Sequence, residues 1–413
     1  MAGKANLVAS KAAKNDEFYT QWGDIENEMN AYLDYNQDAF RGKTVLLPCD
    51  DPEWSNFTKY FALNFESLGL KKLISTSCAP RSKPTVEKRG RIYILERVDD
   101  ANGGSRLNNE GLKWDYLQGD GDFRSDEIKA LRDEADMVIT NPPFSLFREF
   151  MVWLVEGDVE FAVIGNMNAA AYKEVFPHIK EGRLWRGATP DSGRIKWFRI
   201  PDDAPVKSSV QRTDPDGTRW QDVGSSVWFT NIEHGRRHEP LALMTMEDNL
   251  LYGSKRIRET AYVKYDNYDA IEVPETRGIP SDYAGVMGVP ISFLDKYNPD
   301  QFEILGIAKT PICYSNSQSA RRTRTYENVT QISKGGKRSG GNEVNAGPVI
   351  VTSAEPVGQT HYLTDEVDGY LISLYLRILI RHRHLPIQSL SRSRGGQSSL
   401  RCKRGLSHVE VRG

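Results

Sequence analysis

The segment DMVITNPPFSLFREF, residues 136–150, decides the fold of this chain. It begins with a short apolar run rich in β-branched residues, continues with two adjacent prolines, and ends with apolar residues at helical spacing. This pattern predicts a strand, a rigid turn and a helix. Each proline fixes its own φ and restricts the preceding residue, so Asn141 and Pro142 are held away from the α region. In an α/β sheet, such a turn faces the crevice in which ligands bind.

The polar groups of this turn suit a planar amine as ligand. The side-chain oxygen of Asn141 and the carbonyl oxygen of Pro142 can each accept one proton of the same NH2 group, which increases the electron density on its nitrogen. The ring of Phe144 offers a face on which a nucleobase can stack, with a contribution of about 1–3 kcal/mol. The alternative is a strand-to-helix connection that contains two prolines and binds nothing.

The NPPF turn, residues 141–144, resembles the catalytic motif of amino-directed methyltransferases, chiefly those that act on adenine in DNA. The resemblance implies that Asn141, Pro142, Pro143 and Phe144 are the catalytic residues. It also implies S-adenosylmethionine as the cofactor, a Rossmann-like methyltransferase domain, and a reaction that needs no metal.

Composition indicates a globular protein of about two to three domains, with 413 residues, 39% hydrophobic and 27% charged. Its cysteines have no paired spacing, so neither a disulfide framework nor a zinc site is indicated. The first residues lack the apolar core of a signal peptide, and no stretch approaches the roughly 18 apolar residues of a membrane span, so we expect a cytoplasmic protein. Because the net charge is −2, any DNA-binding surface must be a local basic patch.

The segment NDEFYT, residues 15–20, precedes a predicted amphipathic helix over residues 25–40. It resembles the N-terminal cofactor motif of adenine methyltransferases. The resemblance implies that Phe18, Tyr19 and Thr20 flank the methionine part of the cofactor. Alternatively, the aromatic pair only packs the N-terminal helix on the sheet.

A buried strand is predicted for residues 44–47, followed by the turn CDDP, residues 49–52, and a helix. This is the first strand–loop–helix unit of a doubly wound sheet. The turn lacks the glycines that most methyltransferases carry here, and with the following Ser55 and Asn56 it resembles the variant of EcoRI-type adenine-specific DNA methyltransferases. Asp50 and Asp51 could accept hydrogen bonds from the cofactor's ammonium group or ribose hydroxyls. Alternatively, they form a helix N-cap and first-turn acid pair.

The segment GDGDF, residues 119–123, forms an acidic turn made flexible by glycine. The resemblance implies that Asp122 and Phe123 lie beside the cofactor's adenine. The alternatives are a solvated turn, or a helix cap formed by Ser125 with the acidic residues that follow it.

Strands alternate with helices from residue 44 to residue 180, which predicts a mostly parallel, three-layer α/β domain over residues 1–181. From residue 182 onward, tryptophans lie in short β-like runs among frequent prolines and glycines. We therefore expect a β-rich target-recognition and DNA-binding region over residues 182–381 that partly packs back on the first domain. The run LISLYLRILIR, residues 371–381, is predicted to be its final strand, and residues 382–413 a disordered tail.

A basic cluster lies within residues 320–341, where glycine and serine separate the charged residues. Its composition suits a loop that contacts DNA phosphates. A solvated loop without a partner is the alternative. The predicted DNA-binding residues are Arg321, Arg322, Arg324, Lys334, Lys337 and Arg338.

Taken together, the motifs resemble the EcoRI-type family over residues 15–381 and in family order. The resemblance implies a site-specific methyltransferase that modifies the 6-amino group of adenine in double-stranded DNA, after the base has left the helix. A restriction endonuclease acting on the same site is a possible partner. The alternatives are a methyltransferase of RNA or of protein glutamine, and a non-catalytic DNA-binding protein on a methyltransferase scaffold.

Overall fold

The computed structural model describes residues 19–78, 89–99, 105–107, 114–189, 195–200, 211–308, 322–341, 344 and 347–384. Phe18, Arg321 and residues 385–413 of the predicted tail lie outside these ranges. Within them, no helix is both long and apolar enough to cross a membrane.

The α-helices of the described residues are α1 (Trp22–Tyr35), α2 (Asn56–Leu63), α3 (Phe65–Leu68), α4 (Asp126–Glu134), α5 (Phe147–Glu156), α6 (Phe176–Lys180), α7 (Met246–Tyr252) and α8 (Lys255–Thr260). Short 3-10 helices cover Phe144–Leu146, Met167–Ala171, Gly235–His238, Thr276–Gly278 and Ile291–Lys296. Local chemistry explains their ends. Ser55 caps α2 by accepting the N–H of Phe57, and Ser125 caps α4 as predicted. Gly69 ends α3 in the left-handed region, at φ 66°.

The strands form three sheets. In chain order they are β1 (Thr44–Leu47), β2 (Lys72–Ser77), β3 (Arg91–Asp99), β4 (Ser105–Leu107), β5 (Asp115–Tyr116), β6 (Met137–Thr140), β7 (Glu160–Asn166), β8 (Trp185–Arg186), β9 (Ile195–Arg199), β10 (Gln211–Thr213), β11 (Arg219–Thr230), β12 (Ile271–Glu272), β13 (Met287–Val289), β14 (Phe302–Ala308), β15 (Val329–Ile332), β16 (Arg338–Gly341), β17 (Val349–Thr352), β18 (His361–Leu363), β19 (Tyr370–Ser373) and β20 (Arg377–His382). The described part of the largest sheet has 11 strands, in the order β10-β11-β7-β6-β1-β2-β3-β4, with β5 beside β3 and with β8 and β9 beside β11.

This central sheet is mixed, whereas the sequence predicted a mostly parallel one. Among the described residues of this sheet, parallel pairing joins only the central strands β7, β6, β1 and β2. β3 returns antiparallel to β2, and β11 lies antiparallel to β7. An antiparallel neighbour needs no crossover helix, so the alternation of strands and helices predicts parallel pairing only where a helix links the two strands.

Alternate residues of the central strands face two separate cores, as expected for a sheet covered on both sides. On one face, Val45 and Leu47 pack in the cluster that includes Ile25 of α1 and Phe57 of α2. On the other face, Leu46 joins a cluster with residues of α4 and α5. The predicted three-layer α/β arrangement is therefore confirmed for the central strands.

The chain after residue 181 contributes to all three sheets. Its strands β8 to β11 extend the central sheet, β12-β13-β20-β14 form a 4-stranded sheet, and β16-β15-β18-β19-β17 form a 5-stranded sheet. Buried residues of the 4-stranded sheet belong to the same core cluster as α4 and α5. The prediction of one final strand over residues 371–381 was wrong, because this run is interrupted after Ser373 and its halves, β19 and β20, join different sheets.

Candidate active site

The NPPF turn lies at the carboxyl end of β6, in the middle of the central sheet. Pro143 is extended, with φ −56° and ψ 120°, and is followed by the 3-10 turn and then by α5. The N–H of Leu146 donates to the carbonyl oxygen of Pro143 at 2.9 Å. The predicted strand, turn and helix are thus confirmed. Asn141 is half-buried and Pro142 is buried, so this rigid turn presents few of its atoms to solvent.

The ring of Phe144 packs edge-on against Phe198 of β9, with ring centroids 6.2 Å apart and an interplanar angle of 88°. Phe198 is fully buried, while Phe144 is half-buried. A strand from beyond residue 181 therefore supports the aromatic side chain of the NPPF turn. Sequence reasoning missed Phe198, because only the pairing of β9 with β11 brings it near Phe144.

The carboxyl of Asp50 joins the turn after β1 to the last residue of β6. It is 5% exposed, and it accepts hydrogen bonds from Ser55 Oγ at 2.7 Å and from Thr140 Oγ1 at 2.6 Å. Burial raises the pKa of Asp50 to about 7, and the two hydroxyl donors oppose part of this increase. Asp50 therefore contacts the residue that directly precedes Asn141.

Asp51 has a different environment, because its carboxyl is 24% exposed. Its Oδ1 accepts the backbone N–H groups of Glu53 and Trp54, at 2.9 Å and 3.2 Å. Its Oδ2 lies 3.3 Å from Ser77 Oγ and 3.4 Å from Arg91 Nη1. Asp51 thus shapes the turn that leads into α2, while Ser55, rather than either aspartate, is the helix N-cap.

The described part of the N-terminal motif lies beside this turn. The backbone of Tyr19 pairs with Arg199 of β9, and the carbonyl oxygen of Thr20 accepts Asn56 Nδ2 at 2.7 Å. Thr20 is 3% exposed, and its Oγ1 is buried without a hydrogen-bond partner. Thr20 therefore contacts the segment after CDDP, and Tyr19 contacts β9.

The GDGDF turn approaches the end of β2. Gly121 has φ +77°, and a Cβ there would lie 2.4 Å from the carbonyl oxygen of Ser77, so only glycine fits. Cys78 Sγ donates to the carbonyl oxygen of Gly121 at 3.1 Å. Burial raises the pKa of the Cys49 thiol, and Cys78, Asp50 and Asp122 raise it further. The loops after β1 and β2 and the GDGDF turn thus converge at one edge of the sheet.

Within this turn, the carboxyl of Asp122 is 18% exposed and accepts Arg124 Nη2 at 2.6 Å. Phe123 is buried, and its ring centroid lies 5.0 Å from that of Phe150 and 5.8 Å from that of Trp153. Asp122 is therefore partly accessible to a ligand, whereas Phe123 packs in the core beside α5.

Contacts around the strand ends link the NPPF turn, the turn after β1, the N-terminal motif and β9. The linked residue pairs are Thr140 with Asp50, Asp50 with Ser55, Asn56 with Thr20, Tyr19 with Arg199, and Phe198 with Phe144. Adjacent residues join most of these pairs, and the NPPF turn itself joins Thr140 to Phe144. A cavity of about 630 Å³ opens beside these contacts, and its lining includes Tyr19, Thr20, Trp54, Asn56, Lys59, Arg199 and Trp220. Within the described residues, no cluster of His, Cys, Asp and Glu could hold a metal ion.

The predicted basic loop is in part a hairpin, formed by β15 and β16. Lys334, Lys337 and Arg338 are exposed at or beside its turn. Arg324 lies apart from the hairpin and forms ion pairs with Asp266 at 3.1 Å and Glu366 at 3.5 Å. Arg322 is half-buried and its backbone bridges to Tyr268. The exposed positive charge is therefore on the hairpin.

A mixed α/β sheet with an NPPF turn at the end of a central strand is the arrangement of an amino-directed methyltransferase. The family model described as "Adenine-specific methyltransferase EcoRI" matches residues 6–383, and the chain belongs to this family. It is 43% identical to the type II methyltransferase M.EcoRI of Escherichia coli over 308 residues, which are 73% of this chain and 89% of the relative. It is 36% identical to the type II methyltransferase M.MpnI of Mycoplasma pneumoniae over 304 residues, which are 73% of this chain and 85% of that relative. No solved structure matches the chain.

Family membership confirms the predicted family and the predicted enzyme class, an adenine-specific DNA methyltransferase. It does not assign roles to individual residues. Those roles rest on the geometry around the NPPF turn.

Proposed function

We propose that the chain transfers a methyl group from S-adenosylmethionine to the 6-amino group of adenine in double-stranded DNA, at the NPPF turn. The observation that most supports this site is that Thr140, directly before the turn, is hydrogen-bonded to Asp50 in the CDDP turn. The turn that would bind the adenine amine is thereby fixed to the turn that resembles a cofactor-binding motif.

In this proposal, each residue of the turn has a separate role. The Asn141 side-chain oxygen and the Pro142 carbonyl oxygen accept the two amine protons, which increases electron density on a weakly nucleophilic nitrogen. Pro143 keeps the turn extended, and Phe144 stacks on the base that has left the helix. The transfer is direct and forms no covalent enzyme intermediate, because rate enhancement comes from positioning the reacting atoms in line.

The residues around the cavity fit S-adenosylmethionine. When bound, it supplies the electrophilic methyl group. The buried Thr20 Oγ1, which has no hydrogen-bond partner, and Asn56 offer polar contacts to the methionine part, beside Tyr19. Asp51 and Asp122 lie on neighbouring turns outside the cavity lining. Both are partly exposed and offer acceptors to the cofactor's hydroxyl and ammonium groups. Aromatic side chains such as Trp54 can face its positive sulfur.

We place target recognition in residues 182–381 of a Rossmann-like enzyme, with β8 to β11 shared with the central sheet. The exposed hairpin residues Lys334, Lys337 and Arg338 suit phosphate contacts, which position a protein on DNA without choosing the sequence. Arg321, Arg322 and Arg324 are retained as candidate DNA contacts, although two acidic residues already neutralise Arg324. The type II designation of the relatives supports a restriction endonuclease with the same target as a partner.

The test is methyl transfer from labelled S-adenosylmethionine to duplex DNA, to RNA and to a protein release factor, followed by digestion and identification of the methylated product. We expect N6-methyladenine in DNA only, and none with Asn141→Ala. Transfer to RNA or to glutamine would replace the proposed substrate. Binding of DNA without any transfer would support a non-catalytic protein.

A further inference from the structure

A buried chain of hydrogen bonds connects α2, β2, the turn after β1, and β6 below the candidate site. Thr58 Oγ1 and Ser75 Oγ lie 2.7 Å apart, and Ser75 Oγ donates to the carbonyl oxygen of Asp50 at 2.7 Å. The Asp50 carboxyl then binds the hydroxyls of Ser55 and Thr140. These five residues are at most 5% exposed, so water does not replace a partner that is removed.

Such a network favours one arrangement of the segments that it joins. A buried polar group without a hydrogen-bond partner destabilises the fold, and a charged or partly charged acceptor makes the hydrogen bond stronger. The Asp50 carboxyl accepts one hydroxyl on each oxygen, and burial separates it from solvent. Asp51, its neighbour, is the aspartate that is open to a ligand. The Asp50 side chain therefore suits a role within the protein rather than direct contact with the cofactor.

The position of Thr140 gives this network a consequence for catalysis. Thr140 is the last residue of β6, and its backbone continues directly into Asn141. Its hydroxyl is tied to the turn that follows β1, so removal of this bond loosens the link between the start of the NPPF turn and the turn after β1. A displacement of about 1 Å at a reacting group can reduce a rate about a hundredfold.

We propose that Thr140 is a positioning residue for methyl transfer: through its hydrogen bond to Asp50, it fixes Asn141 relative to the cofactor turn. This inference rests on the proposed function. The hydroxyl is fully buried and bonded to Asp50. It positions the side-chain oxygen of Asn141. Removal of the hydroxyl therefore lowers turnover and leaves the affinities for DNA and S-adenosylmethionine nearly unchanged.

The experiment compares Thr140→Val, which removes the hydroxyl and keeps a β-branched side chain, with Thr140→Ser, which keeps the hydroxyl. Thr58→Val is the matched control, because it removes a buried hydroxyl of the same network that is linked to Thr140 through Ser75 and Asp50. We measure kcat and KM with duplex DNA, the Kd of S-adenosylmethionine by calorimetry, and the thermal unfolding temperature. For Thr140→Val we expect kcat to fall at least tenfold, with KM and Kd within threefold of wild type. For Thr140→Ser and Thr58→Val we expect kcat within threefold of wild type.

Four results would overturn the proposal. They are a normal kcat in Thr140→Val, a low kcat in Thr140→Ser, a loss of cofactor affinity as large as the loss of kcat, and an equal loss of kcat in Thr58→Val, which would show that the network supports only general stability. Thr140→Ala gives the same comparison if the valine variant does not fold. The proposed function is tested by the wild type alone, since a wild type that does not methylate DNA contradicts that function whatever the variants do.

Discussion

The buried carboxyl of Asp50 predicts a specific pH dependence of stability. Its pKa is about 7 in the folded chain, whereas an unfolded Asp has a pKa of about 3.9. Because the folded state holds the proton more tightly, protonation of this group stabilises the fold. This stabilisation is complete below about pH 4 and is lost as pH rises through about 7. The difference between the two pKa values corresponds to about 4 kcal/mol, of which about 2–3 kcal/mol is lost between pH 5 and pH 8.

The perturbation that isolates this effect is Asp50→Asn, since the amide has nearly the same shape and does not titrate. Its NH2 group can donate to a hydroxyl that rotates to accept, so Ser55 and Thr140 keep partners. Other titrating groups contribute equally to wild type and variant. The difference in unfolding free energy between them should therefore shift by about 2–3 kcal/mol in favour of the variant between pH 5 and pH 8.

Urea unfolding followed by tryptophan fluorescence at several pH values between 5 and 8 measures this difference. Asp51→Asn is the control, because the neighbouring carboxyl is partly exposed and bonded to backbone N–H groups. A difference between wild type and Asp50→Asn that stayed constant over this range would refute the argument that burial raises the pKa of Asp50 to about 7.

The remaining predictions concern the two substrates. Asn141→Ala should abolish methyl transfer with little change in cofactor affinity by calorimetry, and near-normal turnover would remove the assignment of this acceptor. Phe144→Ala should alter the fluorescence of 2-aminopurine at the target position and Phe144→Trp should largely restore it; identical signals in wild type and Phe144→Ala would exclude stacking there. Asp51→Asn should weaken S-adenosylmethionine binding at least tenfold, about 1.4 kcal/mol, and an unchanged Kd would leave Asp51 as a turn residue only. Joint replacement of the hairpin residues by Gln should flatten the salt dependence of DNA binding, by about 0.9 in slope for each phosphate that the variant no longer neutralises. Arg324→Gln should leave the slope unchanged. An equal slope in the two variants would argue against phosphate contacts by the hairpin. The replaced residues are Lys334, Lys337 and Arg338.

Local sequence predicted the elements that carry the site. β1 and β6 are short β-branched runs bounded by turn residues, and β1 has the predicted limits. The double proline after β6 restricts its own backbone, so the turn could be predicted without knowledge of the sheet. Ser125 was predicted as a possible helix cap for the same reason, since a cap depends on residues that are near in sequence.

Pairing between distant segments could not be predicted in this way. Phe198 contacts Phe144 only because β9 pairs with β11 and β11 pairs with β7, and none of these pairings has a local signal. The apolar run over residues 371–381 shows the same limit. Its period favours one strand, but the N–H of Leu374 donates to the carbonyl oxygen of Pro348, and the two halves join different sheets.

The composition of the basic cluster was also not enough to predict which of its residues are free to contact DNA. The basic cluster was predicted from its arginines and lysines, but Asp266 and Glu366, which pair with Arg324, lie 58 and 42 residues away in the chain. Only contacts in the folded chain distinguish a neutralised arginine from the exposed lysines of the hairpin.

The turn after β1 also explains how this chain can lack the glycine-rich loop that most methyltransferases have there. A glycine-rich loop brings its backbone close to the ligand and offers free N–H groups. Here Asp51 accepts the N–H groups of Glu53 and Trp54, so these donors already have partners within the turn. The turn is held by side chains instead, with Asp51 shaping it from one side and Asp50 fixing it to Ser55 and Thr140 from the other. In the proposed function, recognition of the cofactor then depends more on side chains such as Asp51 and Asn56 than on backbone N–H groups. Single substitutions at this turn should therefore have measurable effects.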